Sequence, residues 1–520
     1  MRSMSASWWV RRWAELDPAR VAMIFADREI TYGHLDRRVD AVCCWLQSSG
    51  MEKGDRTAVL LRNCPEFVEL YLACSRLGSI FVPLNFRLAP EELAYLINNS
   101  RPHALVYGSK LEASVEGLDT HTRISVPVVA RVGETDGNGD VLDYSAEVAA
   151  CESRKPSVTS SLGSGYAEEP QVVMYTSGTT GRPKGAVLSH RKTFFNCLNA
   201  ETFFELSSRD VMLIVTPLFH SGALFIQASP CLYKGATMVI HEAFDPGHVY
   251  GDIERYGVTK FQAVPTIYRS LLDVEPGSRS DISTLQICAV GGEPVSAGLI
   301  EALLSAGFPM RQIMGQTETS ILLWATEQEL LTRPGTLGRP VFHAEVDLHD
   351  REGWPVGPGC TGEIVVRGSV TMSEYWMDPS RTEQIMRGGW LRTGDLARRD
   401  EDGYYFMVDR AKDMYISGGE NVYPAEVERV IAQHAQVEDV AVVGCSDARW
   451  GEVGHAFVTL RAGAAVTSED ILQFCQGKLA GYKLPARVAF CMDLPRTGTG
   501  KVQKYLLRQR ADKGGSAGED

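Results

Sequence analysis

The 520-residue sequence lacks most of the features that would take it outside the ordinary globular class. No run of about 18 consecutive apolar residues occurs, so no membrane span is expected. The apolar opening Trp8-Trp9-Val10 stops at once at Arg11 and Arg12. That is too short for a secretory signal and leaves the cytoplasm as the expected location. The 12 cysteines are scattered, apart from the neighbours Cys43 and Cys44, and no CxxC pair occurs. Neither a zinc ribbon nor a thioredoxin-type site is indicated, and the thiols read as small core residues. Positive charge is also in short supply, with 52 Lys and Arg against 65 Asp and Glu and a formal net charge of −13. Such an envelope argues against general nucleic-acid binding and against adhesion to an anionic membrane. The spacing GxxxxGK[ST] is missing, because Gly500-Lys501 is followed by Val502, which has no hydroxyl to offer a metal. No internal repeat is present.

What the chain has is length and alternation. At 44% hydrophobic content it suits one large or subdivided domain plus a smaller one. Segments of helical period alternate with short β-branched runs at 211–215, 237–240, 285–290 and 363–366, the pattern of an α/β architecture with buried strands. The stretch 134–165 is polar and rich in Gly and Ser, and reads as a surface loop. A charged segment at 398–410 marks a second change of composition. Beyond it Pro424 is placed to open a helix, strands are expected at 440–443 and 456–460, and Thr467 with Asp470 forms a capping box. The expected division is a large domain over 1–411, a small α+β domain over 412–510 and a disordered Gly/Ser tail over 511–520.

The strongest local signal follows the apolar run 172–175. It reads Thr176-Ser177-Gly178-Thr179-Thr180-Gly181-Arg182-Pro183-Lys184-Gly185, with a helix expected from about Ser189. Glycines and hydroxyls let backbone N–H and side-chain O–H groups converge on phosphate oxygens, and Lys184 adds a cation. By composition alone it reads first as an ordinary mobile surface loop, and the specific string reverses that. As a string it closely resembles the signature of the adenylate-forming superfamily, which contains acyl-CoA synthetases, peptide-synthetase adenylation domains and luciferases. The resemblance implies that fold: a large N-terminal domain of several sheets in α/β layers and a small mobile C-terminal domain.

Further segments resemble family motifs in the family's order. Met314-Gly315-Gln316-Thr317-Glu318 resembles the aromatic-Gly-x-Thr-Glu motif, which implies Thr317 on the α-phosphate and Glu318 on Mg²⁺. Met314 stands where the family has an adenine-stacking Tyr, and a thioether also packs on a base. Gly291-Gly292-Glu293-Pro294 resembles the segment lining the adenine and acyl sites. Arg392-Thr393-Gly394-Asp395 resembles the ribose motif, with Asp395 accepting from the vicinal hydroxyls and Arg410 reaching the nucleotide. Lys412 matches the hinge position, and Gly418-Gly419 the segment bordering the pantetheine tunnel. Pro495 to Lys501 resembles the C-terminal catalytic-lysine loop, and Pro83 to Leu88 fits as well.

The implied reaction has two halves. A carboxylate attacks the α-phosphorus of Mg·ATP with Lys501 bridging the anions, and a thiol then displaces AMP, CoA being the favoured acceptor. Only 19 residues follow Lys501, so a carrier domain is not expected in the chain, although a separate carrier protein could take the acyl group instead. Two less favoured readings are an inactive nucleotide-binding scaffold and luciferase-like oxygenation. In Phe219-His220-Ser221 a His stands where amino-acid-activating relatives have Asp. An unpaired ammonium in a buried pocket is costly, which argues against an α-amino acid. His220 resembles the gating aromatic of acyl and aryl ligases. Phe219, Ser221, Val264, Ile267 and Leu322 are the expected acyl pocket, suiting a fatty, alicyclic or aromatic acid. Oligomeric state is left open.

Overall fold

The computed structural model describes residues 4–118, 125–134, 141–156, 166–176, 183–292, 295–417, 420–447, 449–476, 478–496 and 502–514. Contacts divide the chain into two units. The first takes the chain up to Val346 together with Val366–Leu391, and the second takes Asp347–Val365 and everything from Arg392 onward. This division falls ahead of the boundary expected at Lys412. The reason is local: Arg392 pairs with Glu363, the Gly394 N–H donates to Glu363 Oε1 at 2.8 Å and Thr393 Oγ1 donates to the Ile364 carbonyl at 2.7 Å. These bonds lace 392–395 to the 361–367 strand rather than to what precedes it.

Two sheets organise the first unit. In one, strands run in the order Thr336–Pro340, Ser320–Ala325, Met310–Gln316, Ile287–Val290, Lys260–Ala263, Val211–Ile214, Thr237–Ile240, Val21–Phe25 and Arg28–Thr31. Its central pairs are parallel, and the three strands from 310 to 340 close antiparallel. Covered on both faces, the central strands carry unbroken apolar runs rather than alternation. Leu213, Val239, Phe261, Tyr268 and Val290 meet in the core beneath helices Pro246–Tyr256, Pro265–Leu272 and Ala297–Ser305. In the other sheet the order is Glu374–Tyr375, Lys184–Ser189, Pro170–Thr176, Ile80–Pro83, Arg56–Leu60, Ala104–Gly108, Val128–Val132 and Leu142–Asp143. The helix His190–Phe204 follows directly on Lys184–Ser189, capped by Ser189, whose hydroxyl accepts from the Lys192 N–H.

The reading of 134–165 as a plain loop is corrected over its described part. Asp143 caps the helix Tyr144–Ala149, and Tyr144 and Val148, one turn apart, are both buried. The Tyr144 ring lies edge-on to Trp45 at 5.5 Å and its hydroxyl donates to Glu69 at 2.8 Å.

In the second unit a ribbon of Trp390–Arg399 and Tyr405–Arg410 precedes a sheet ordered Glu420–Val422, Tyr415–Ser417, Gly451–Leu460 and Val437–Asp447, with Arg487–Phe490 also on Gly451–Leu460. The helix Pro424–Ile431 opens at proline, and the Thr467/Asp470 box caps Ser468–Cys475, both as expected. The last helix, Lys504–Gly514, runs on into residues that composition assigns to the tail. Its Lys504 ammonium is partly buried and pairs with Glu428 at 2.7 Å. Burial alone would lower its pKa, but Glu428, Asp413 and Asp409 hold it above the usual lysine value. The described thiols are free and most are buried, as expected.

Candidate active site

In the first unit the hairpin Pro170–Thr176 and Lys184–Ser189 sets Thr176 directly opposite Lys184, so both ends of the Gly/Ser loop leave from one register pair. The loop itself, Ser177, Gly178, Thr179, Thr180 and Gly181, lies outside the described residues, as do Glu293, Gly418, Gly419 and Lys501. A second hairpin faces the first. Met310–Gln316 turns into Ser320–Ala325 through Thr317-Glu318-Thr319, closed by Gln316 N–H to Thr319 Oγ1 at 3.2 Å. Gly315 is required there, since a Cβ would lie 1.8 Å from the Ser320 carbonyl oxygen. Gly291 is required too, where a Cβ would meet the Ile313 carbonyl oxygen at 2.3 Å. Ser320 itself sits at φ 59°, a left-handed conformation uncommon for serine. Across from Gly315 the register slips by one at Leu322, a bulge of the kind common beside active sites.

Between the two hairpins lies a set of four polar groups. Lys184 Nζ is 3.2 Å from Glu318 Oε1, Thr176 Oγ1 donates to the same oxygen at 3.3 Å, and the Tyr375 hydroxyl donates to it at 2.9 Å. Lys184 also donates to the Tyr375 hydroxyl, and its ammonium lies 4.3 Å from that ring's centre. Glu318 is only 7% exposed. Burial alone would raise its carboxyl pKa, but Lys184, a backbone N–H and the Tyr375 hydroxyl hold it below the usual range, ionised at neutral pH. Burial and the facing carboxylate push the Tyr375 hydroxyl far above the ordinary tyrosine value, so it stays a donor. A carboxylate, an ammonium and hydroxyls thus converge where a polyanion and a hard cation would be handled together.

Tyr375 had no signal in the sequence. It reaches the set because the two-residue strand Glu374–Tyr375 pairs with Val187 and Ala186, a contact across about 190 residues of chain. Lys192 was missed as well. It is 1% exposed, donates to the Ser320 hydroxyl and stands 5.7 Å from the centre of the Phe225 ring. Burial lowers its pKa to about 7, against the attraction of Glu318.

The expected acyl-pocket residues lie on separate elements. Thr317 Oγ1 and Ser221 Oγ are 3.3 Å apart, joining the Glu318 turn to the start of the wide helix Gly222–Ala228. Phe219 is buried, edge-on to Phe86 at 5.2 Å and 4.2 Å from the His220 ring. Leu322 is fully buried on Ser320–Ala325, Val264 caps Pro265–Leu272, and Ile267 packs against the central core. Met314 is buried near the end of its strand, and Gly292 lies just past the end of Ile287–Val290. In the second unit Asp395, with no exposed surface, faces Arg410 across the ribbon, with Arg410 Nε 2.6 Å from Asp395 Oδ1. Lys412 lies exposed in the turn that follows.

The residues suit the family's metal. Among the described residues no group of three or more His, Cys, Asp or Glu could hold an ion, so no all-protein cage is present among them. Mg²⁺ usually takes one or two carboxylates and completes its shell with phosphate and water, which the single carboxylate of Glu318 beside a phosphate-loop lysine provides. Among the same residues no helix is long and apolar enough to cross a membrane.

Fold and site together define an adenylate-forming enzyme. The chain belongs to the AMP-binding enzyme family, which matches residues 10–376, with the AMP-binding enzyme C-terminal domain over 426–501. It is an AMP-forming acyl-CoA synthetase that uses ATP, Mg²⁺ and coenzyme A. It is 38% identical to feruloyl-CoA synthase of Amycolatopsis sp over 98% of this chain and 100% of that one. It is 36% identical to indoleacetate–CoA ligase of Aromatoleum aromaticum, over 97% and 98%. Among solved structures it resembles o-succinylbenzoate CoA synthetase from Bacillus subtilis in complex with its acyl-adenylate, at TM-score 0.83 and 30% identity over 96% and 97%.

Proposed function

We propose that the protein activates an aromatic carboxylic acid as its acyl-adenylate and passes the acyl group to coenzyme A. The observation that carries the substrate class is the ring cluster of Phe86, Phe219 and His220. Phe86 lies 5.2 Å from Phe219, which in turn lies 4.2 Å from His220, beside the Thr317–Ser221 pair. Edge and face contacts of this kind favour a flat ring over a flexible alkyl chain. The similar proteins whose names specify feruloyl, indoleacetate and o-succinylbenzoate substrates support the same class.

Carboxylate and triphosphate are both anionic, so the residues' work is charge neutralisation and alignment. In this reading Lys184 leaves Glu318 and takes phosphate oxygens as ATP enters. Glu318 would hold Mg²⁺, which would supply charge neutralisation at the phosphates. The Tyr375 hydroxyl keeps Glu318 hydrogen-bonded throughout. Thr176 and the residues 177–181 cradle the leaving pyrophosphate, and Thr317 contacts the α-phosphate. Asp395 and Arg410 hold the ribose, Met314 packs on adenine, Lys501 bridges the reacting anions, and Lys412 is the hinge between half-reactions.

The test is incubation with Mg·ATP, coenzyme A and matched aromatic, alicyclic and fatty acids, reading acyl-AMP and acyl-CoA by mass spectrometry. Acyl-CoA from aromatic acids at more than about tenfold the rate of the others is expected, with Lys501→Ala lacking acyl-AMP. Turnover of fatty acids alone overturns the substrate class. Acyl-AMP without acyl-CoA moves the acceptor to a carrier protein.

A further inference from the structure

Lys192 breaks two local rules at once. It lies in the first turn of the helix His190–Phe204, where the helix dipole repels a cation. It is also buried, where a charge needs several partners. Of the ammonium's three donors, the described residues give an acceptor to one, the Ser320 hydroxyl. One turn further along the same face is Asn196, also fully buried. Its amide donates to the Phe225 carbonyl at 2.5 Å, which fixes its orientation, and its Oδ1 has no hydrogen-bond partner among the described residues. A donor with spare capacity and an orphaned acceptor therefore stand on neighbouring turns. Local rules are broken in this way mostly where function demands it.

The surroundings say what function. Ser320 follows Glu318 by two residues and precedes the bulged Leu322 by two, and its own backbone is in the left-handed region. Phe225 belongs to the helix that begins beside Ser221. The ammonium is thus enclosed by the two segments that carry expected acyl-pocket residues. A hydroxyl is the group that satisfies both residues: its oxygen accepts from Lys192 and its proton goes to Asn196 Oδ1. A carboxylate answers the ammonium but leaves Asn196 facing a second acceptor, and an unsubstituted ring answers neither.

We infer that Lys192 and Asn196 form the polar end of the acid pocket and select an aromatic acid carrying a phenolic hydroxyl remote from the reacting carboxylate. The inference rests on the proposed reading of this pocket as the acid site. Sites built around a substrate hydroxyl discriminate strongly against the analogue without it, because buried polar groups are then left unpaired.

The experiment compares 3-phenylpropenoic acid, its 4-hydroxy derivative and its 4-carboxy derivative in the parent, Lys192→Met, Lys192→Gln and Asn196→Ala proteins. Pyrophosphate release gives the kcat/KM ratio of hydroxylated to unsubstituted acid, and equilibrium binding of the acids without ATP gives the same ratio independently of turnover. The expected result is a parental ratio that falls by about tenfold or more in each variant, through KM rather than kcat. An unchanged ratio overturns the inference, since the two residues then hold only a buried water. Equal losses with all acids overturn it too, placing Lys192 in the service of Glu318. A preference for the 4-carboxy acid that needs Lys192 but not Asn196 overturns the hydroxyl assignment. If none of the acids is turned over, the proposed function fails by itself, and the binding ratio still decides the role of Lys192.

Discussion

Two buried charge clusters in the first unit are built on opposite plans. Around Arg76 every charge is answered. Its guanidinium, 6% exposed, reaches Asp36 at 2.5 Å, Asp40 at 2.6 Å and the Ser7 carbonyl at 3.3 Å, while Arg11 adds a second fork onto Asp40 at 2.6 and 2.7 Å. Glu69 nearby is clasped bidentately by Arg38 at 3.0 and 3.1 Å and by Tyr144 at 2.8 Å. Around Glu318 the carboxylate is met by one ammonium, Lys184, and by the hydroxyls of Thr176 and Tyr375, and Lys192 has a single acceptor among the described residues. A guanidinium matches two carboxylates in a fixed fork, whereas an ammonium and a carboxylate exchange partners readily. The first cluster cements helices. The second leaves its groups free to exchange partners.

The contrast is tested most severely by Glu318→Gln. Acyl-AMP formation should fall by about 100-fold or more while the fold survives, because the lost charge acts on the reaction and not on packing. Rates per folded molecule and circular dichroism check this together, and loss of structure in step with activity would erase the distinction. Arg76→Met should do the reverse. Leaving the half-buried Asp36 and Asp40 with only Arg11 should cost about 1–3 kcal/mol in urea unfolding, with activity per folded molecule retained.

Lys192→Met should stabilise the protein. An unfolded lysine titrates near 10.4, whereas burial, partly offset by Glu318, brings folded Lys192 to about 7. Over pH 7 to 10 the unfolded chain therefore holds a proton that the folded one has shed, so stability rises through that window and the burial penalty is complete below about pH 7. The variant should exceed the parent by about 1–4 kcal/mol at pH 6, with the gap closing toward pH 10. A gap that stays constant with pH would mean that folding leaves the Lys192 pKa where it stands in the unfolded chain. The mildest change is Tyr375→Phe, which removes one hydrogen bond to a charged group and should raise KM for Mg·ATP by about tenfold with little change in kcat. Direct titration of nucleotide binding should weaken in parallel, and unchanged nucleotide affinity would make Tyr375 a packing residue only.

Local chemistry was legible in the sequence wherever the cause is local. Pro424 opens a helix because its ring presets the backbone, and Ser189 and Thr467 cap helices because a hydroxyl can reach the next turn's N–H. Thr176, Lys184, Thr317 and Glu318 could be named from their motifs, and the structure brings the four to one place from two hairpins. The helix at Tyr144 was hidden because polar neighbours outnumber the two residues that face inward. Asp395 and Arg410 were readable as motif members, but their ion pair depends on the register of an antiparallel ribbon.

By itself the sequence determined the family and the order of its motifs, because these are properties of short strings and their spacing. Only the tertiary structure decided that Tyr375 bridges Lys184 and Glu318, that Lys192 is buried against Ser320, and that Asn196 carries an orphaned acceptor. Those facts depend on strand pairing across more than a hundred residues of chain and on the loss of water around a charge. Neither is written in any window of the sequence.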